Sequence, residues 1–189
     1  MLFEEPPART AAELLRDFAN TYDVEQAEES LRAPSDLVEW LAYQGLAPEA
    51  AQAGTAALDA ALRLRAGLRA ALAGHHDGAA DHAGLALAAA EHPLRLGFDA
   101  DRPVLLPAAD PGAEPVEAGL ARVVAAVAAA QSDGTWTRVK LCATADCRWA
   151  FVDTSKNRSR TWCSMRVCGN RAKTRAYRAR GRDDGPPPA

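Results

Sequence analysis

Cys142-Ala143-Thr144-Ala145-Asp146-Cys147 and, after fifteen intervening residues, Cys163-Ser164-Met165-Arg166-Val167-Cys168 carry all four cysteines of the chain, in the pattern C-x4-C-x15-C-x4-C. In a secreted protein four cysteines first suggest two disulfides. Here the opening Met1-Leu2-Phe3-Glu4-Glu5-Pro6 lacks the basic and apolar regions of a secretory signal. A reducing cytoplasm is therefore expected, and metal ligation is favoured over oxidation. Zinc takes four soft or nitrogen donors in a tetrahedron, and two close cysteine pairs supply them locally. The histidines lie far from the cluster in sequence, so Cys142, Cys147, Cys163 and Cys168 form the simplest ligand set. Four protein ligands leave no position open to a substrate, so one structural Zn2+ is expected. Such a site contributes ~10–16 kcal/mol in finger peptides, enough to fold a small module.

The flanking residues suggest a shape. Arg138-Val139-Lys140-Leu141 alternates polar and apolar and enters the first cysteine pair as a strand, and Arg148-Trp149-Ala150-Phe151-Val152 reads as the returning strand. A polar, basic loop with Lys156, Arg158 and Arg160 follows, then a helix from the second cysteine pair to about Arg180. A hairpin knuckle plus cysteines at a helix start is a treble-clef-like arrangement. Trp136, Trp149 and Trp162 are expected to form its miniature core, with base stacking the lesser alternative.

Charge separates this module from the rest. Residues 136–182 carry +11, residues 1–135 carry −12 and residues 183–189 carry −2. We read these three segments as a basic zinc module, an acidic helical domain and a disordered tail. A concentrated positive charge calls for a polyanionic partner, the alternatives being a solvated face or docking on the acidic domain. Arg171, Arg175, Arg178 and Arg182 fall within about 60° on a helical wheel, with Lys173, Tyr177 and Arg180 on another strip. No acid stands between Asp153 and Asp183. This suits phosphate contact rather than the i,i+4 pairing of an ordinary solvent-facing helix.

The preceding 135 residues are rich in alanine (44 of 189 in the whole chain), which implies helices packed through small side chains. Helices are expected over 11–21, over 36–44 after a Ser35 N-cap, from Pro48 to about Ala73, over 79–91 and over 116–130. Leu94–Phe98 and Pro103–Leu106 flank a polar turn and predict a β-hairpin. The fold class is thus α+β, a mostly helical domain with a small hairpin followed by the zinc module. In the longest helix Arg65 and Arg69 project between leucines, either pairing with a buried carboxylate or binding an anionic ligand; structural pairing or snorkelling is the expectation. No stretch approaches the ~18 apolar residues of a membrane span. The scarcity of lysine, three against nineteen arginines, together with the alanine, suggests a bacterial cytoplasmic protein.

Trp162-Cys163-Ser164-Met165-Arg166-Val167-Cys168-Gly169-Asn170-Arg171-Ala172-Lys173 resembles the signature of bacterial CGNR zinc-finger proteins, and Cys142-x4-Cys147 with Phe151-Val152-Asp153 fits the same pattern. Proteins of that family usually carry an N-terminal ABATE domain and are described as stress-induced transcription regulators. Asp17-Phe18-Ala19-Asn20-Thr21, Leu37-x2-Trp40-Leu41 and Leu62-Arg63-Leu64-Arg65 resemble segments of that domain, although its glycine-rich start is missing before Asp17. The resemblance implies zinc on the four cysteines and DNA binding by the basic end. Gly169 and Asn170 are expected to serve the geometry behind the metal ligands, and Arg171 to support the zinc site or reach a phosphate.

The leading reading is a transcriptional regulator that grips double-stranded DNA through Lys156, Arg158, Arg160, Arg171, Lys173, Arg175, Arg178 and Arg180, while the acidic domain senses a signal or forms a homodimer. The alternative is a zinc-stabilised RNA-binding or protein-interaction module. An enzyme is not expected: His75-His76-Asp77 with His82 imitates a metal site but reads as a surface loop, and no phosphate loop or nucleophile elbow is visible.

Overall fold

A computed structural model describes residues 10–76, 78, 81–108 and 114–183, with backbone alone for 176 and 179–183. Of the expected 183–189 tail, Asp183 closes the last helix; the rest of that tail, Asp77 and the first residues of the expected 79–91 helix lie outside the described residues.

Helix α1 spans Ala11–Ala19, and Thr10 and Glu13 close a capping box at its start. Its buried stripe is Ala12, Leu15, Phe18 and Ala19. A short hairpin follows, β1 (Tyr22–Asp23) paired with β2 (Glu28–Glu29). Helix α2 (Pro34–Tyr43) starts one residue before the expected Ser35 cap: Ala33 is the N-cap and Pro34 occupies the first turn. The Asp36 carboxylate accepts the Arg32 and Ala33 N–H groups at 2.9 Å each. Helix α3 runs Thr55–Ala73, not from Pro48, since residues 51–54 are irregular. Helix α4 (Ala83–Ala90) crosses it closely: a Cβ on Gly67 would stand 2.6 Å from the Leu85 nitrogen, so the crossing requires glycine.

Strands β3 (Leu94–Asp99) and β4 (Arg102–Pro107) form the expected hairpin, and α5 (Pro115–Ser132) packs along α1 and β4. A 3-10 turn at Trp136–Arg138 leads into β5 (Val139–Leu141), paired antiparallel with β6 (Ala150–Val152). The described residues close with a π-helical turn, Met165–Gly169, and α6 (Asn170–Asp183). The architecture is α+β: a helical N-terminal region with small hairpins, then a hairpin, cysteine cluster and helix.

One core joins the two. Leu15, Phe18, Leu37, Leu41, Leu64, Leu68, Leu72 and Leu120 fill its centre, and Trp136, Val139, Leu141 and Ala150 of the C-terminal segment belong to the same cluster. The tryptophans therefore divide, against expectation. Trp136 sits in the N-terminal core edge-on to His75 at 4.8 Å, Trp149 is 38% exposed, and Trp162 packs against the cysteines.

Candidate metal centre

Cys142 follows β5 directly, and its N–H donates to the Trp149 carbonyl at 2.8 Å, holding the knuckle shut. Within it the Cys147 and Arg148 N–H groups both donate to Thr144 O, and Arg148 takes a positive φ of 50° that turns the chain back into β6. The second pair is brought up by Ala143 N–H donating to Thr161 O at 3.1 Å. The Ser164 hydroxyl accepts Val167 N–H at 3.3 Å and so caps the π-turn that presents Cys168. Gly169 N–H donates to Ser164 O, and a Cβ at Gly169 would lie 2.5 Å from the Met165 sulfur.

The four Sγ atoms lie within 4.8 Å of one another. Cys147–Cys163 and Cys163–Cys168 are both 3.7 Å apart. A tetrahedron with Zn–S bonds of ~2.3 Å has an edge of about 3.8 Å, so this spacing fits zinc. Cys142, Cys147 and Cys168 are buried. Burial pushes the Cys147 thiol up to about 11, and burial together with the neighbouring sulfurs also raises Cys163. Burial raises Cys142 too, but backbone N–H groups at Cys163 and Thr144 bring it net below the ordinary thiol value. Thiols packed this tightly resist ionising together, and a dication binds them as thiolates. The donor set is all sulfur and complete, which makes this a structural centre for one zinc ion.

Beside it lies an ion pair that alternating strand polarity hides. Lys140, on the nominally polar face of β5, is 4% exposed, and Asp153 is fully buried. Lys140 Nζ donates to Asp153 Oδ2 at 2.8 Å and to Arg158 O at 2.5 Å. Asp153 Oδ1 accepts the Ser155 N–H and hydroxyl, and Oδ2 also accepts Arg160 N–H. Burial opposes the Asp153 charge, yet Lys140, Ser155 and the Arg160 N–H hold its carboxyl well below the usual carboxylate range. The pair folds the basic loop, where Lys156 and Arg158 stay exposed. Arg160 is exposed as well, and its guanidinium folds back along the module's surface, donating to the Trp162 and Cys163 carbonyls with its carbon 5.0 Å from the Phe151 ring centre.

On α6 the side chains of Arg171, Lys173, Arg175 and Arg178 are exposed, and that of Arg180 lies outside the described ones. A groove of about 470 Å3 runs along the helix, lined by Arg166, Asn170, Arg171, Thr174, Arg175 and Arg178. Sequence reasoning passed over Arg166, whose place on this face depends on the π-turn. Asn170 donates to Arg166 O at 3.0 Å, which stiffens that turn from behind the ligands. Arg171 pairs with Glu25 and Arg175 with Asp146, each at 2.6 Å.

The module is sutured to the N-terminal region. Asn20 clamps β6 twice, its Nδ2 donating to Ala150 O at 3.0 Å and its Oδ1 accepting Ala150 N–H at 2.7 Å. Arg69 donates to Ala19 O at 2.7 Å and Arg148 O at 3.0 Å. His75 Nδ1 meets Val139 O at 2.7 Å and His76 Nε2 meets Leu141 O at 2.5 Å. These two histidines border β5 rather than lying in a surface loop, and burial lowers the pKa of His75. Arg65 forms a two-pronged pair with Glu29 and donates to Thr21 Oγ1 at 2.8 Å. Partial burial raises the Glu29 carboxyl, but Arg65 and the Leu31 N–H bring it net below its ordinary value.

Among the described residues no helix is long and apolar enough to cross a membrane. No curated protein sequence matches the chain. Two family models do: the CGNR zinc finger over residues 138–181, and ABATE, described as "putative stress-induced transcription regulator", over residues 8–138. With the second spanning more than half its length and the first meeting it at Arg138, just before the strand that leads into the cysteines, the chain belongs to the ABATE family and carries a CGNR zinc finger.

Proposed function

We propose that this protein regulates transcription in the bacterial cytoplasm by binding double-stranded DNA through α6 and the basic loop, with zinc fixing the angle at which they are presented. The observation that carries the reading is the exposed groove of α6 with Arg166, Arg171, Arg175 and Arg178 along it. Arg171 and Arg175 reach acids only at the surface, where ion pairs hold weakly and phosphates compete effectively. Lys156, Arg158 and Lys173 extend the positive surface, whereas Arg160 serves the fold of the module. The N-terminal region senses a signal or joins two copies, so that two basic helices meet two half-sites.

Fluorescence anisotropy of the zinc-loaded protein tests this, with a mixed-sequence duplex and a matched RNA at about 50 and about 200 mM salt. Contact with about five phosphates gives a log–log salt slope near −4.5. Arg171/Arg175/Arg178→Glu is expected to abolish binding while zinc content and helicity stay unchanged. Equal affinity for RNA would shift the reading to an RNA-binding module, and no binding at low salt would overturn it.

A further inference from the structure

The β3–β4 hairpin has two unlike edges. The Ala108 N–H donates to Pro93 O at 2.8 Å, which sets the alternation of the ladder: residues 93, 95, 97 and 99 bond to β4, while the backbone groups of Leu94, Leu96 and Phe98 point away from it. By the same alternation Pro103 and Pro107 fall where β4 would offer outward N–H groups, so that edge keeps the Leu105 N–H alone as a donor to a further strand. Strand β4 also lies against α5. The β3 edge has neither protection. Among the described residues it pairs with nothing but β4, and it carries no proline. Natural sheets cover or block such an edge.

The residues along β3 specify what covers it. We infer that the β3 edge is the joint between two copies of this chain, paired antiparallel about Gly97. In that register Gly97 faces Gly97 of the second copy on the dyad, while Leu96 faces Phe98 and Arg95 faces Asp99, each of these two matches occurring twice. Arg95 and Asp99 are both exposed and form no ion pair among the described residues, so each is available to its opposite number. The register uses strand residues 95–99 throughout and satisfies charge and apolar matching together.

The face of the hairpin agrees. Leu94, Leu96 and Phe98 stand opposite Pro107, Leu105 and Pro103, an all-apolar surface on which Leu96 is 64% and Phe98 67% exposed. Pairing carries the second copy's turn to Leu94, which lines a largely apolar groove of about 400 Å3 between α4 and α5. The inference deepens the two-copy arrangement proposed above, but its readout is mass, so either can fail without the other.

Light scattering on the zinc-loaded full chain, at tens of micromolar and without nucleic acid, is expected to give twice the 20.0 kDa chain mass. Leu96→Pro removes an outward N–H that the hairpin itself does not use and is expected to give monomer, with circular dichroism and zinc content unchanged. Arg95→Glu and Asp99→Arg each set like charges face to face and should weaken the dimer tenfold or more. The double exchange should restore it. A monomeric wild type would overturn the inference, as would a dimer indifferent to Leu96→Pro or single charge reversals that the double exchange does not rescue.

Discussion

The acidic N-terminal region and the basic C-terminal module reach order by opposite means. The first sums many small apolar contacts: alanines let its helices approach, and leucines from α1, α2, α3 and α5 meet in one core. The second has little apolar volume of its own. A sulfur cluster and the buried Lys140–Asp153 pair organise it, and Val139, Leu141 and Ala150 lean on the neighbour's core. Many weak contacts tolerate the loss of one, whereas a few strong ones do not. The module can therefore present an almost acid-free surface, because its stability does not come from pairing surface charges.

The largest effect should come from the metal. Chelation, or Cys168→Ser, should remove most of the ~10–16 kcal/mol that such a site contributes. The module should unfold while most of the helical circular dichroism of α1–α5 survives. If that signal collapsed with the zinc, the contrast between the two regions would fail.

Next is Asp153→Asn, which leaves the Lys140 ammonium buried without its counter-charge and should cost about 3–5 kcal/mol in urea unfolding of the zinc-loaded protein. The sign of its pH dependence follows from the depressed carboxyl. An unfolded aspartate titrates near ~3.9 and the folded one lower, so the stabilisation is complete above that value and is lost as pH falls below it. The gap between wild type and variant should narrow over that acid range.

Leu68→Ala, in the N-terminal core, should cost about 2–5 kcal/mol by opening a cavity. Its effect on zinc affinity, read by competition with a chelating dye, should be small. A large effect would mean that core and metal site share one cooperative unit. The smallest change, Asn20→Ala, removes both bonds to Ala150 and should cost about 1–3 kcal/mol. Hydrogen exchange at β6 should rise more than exchange in α3, which would locate the loss at the seam.

What was legible in the sequence follows the same division. Zinc chemistry is local, so cysteine spacing announced the ligands, and the alternation of the residues flanking them announced the hairpin and helix around them. The β3–β4 hairpin was legible because its apolar runs flank a polar turn. The seam was not: His75 and His76 find their carbonyl partners more than sixty residues away, and in sequence they stand beside glycine and aspartate like any exposed loop. The burial of Lys140 was not legible, because strand alternation predicts which face a side chain takes, not whether a loop then folds over it. The β1–β2 hairpin, two residues per strand, is too short for any period to register.

Asn20, Arg69, His75 and His76 give the zinc finger an address. A finger on a tether can be excised, fused to another protein or exchanged between relatives with its specificity intact. This one would leave behind its clamps and carry away Val139, Leu141 and Ala150, apolar residues with no cover in a new host. Altering what the outer face of α6 recognises therefore means changing that face in place. Grafts that keep α1 and α3 with the finger should outlive those that cut at residue 135.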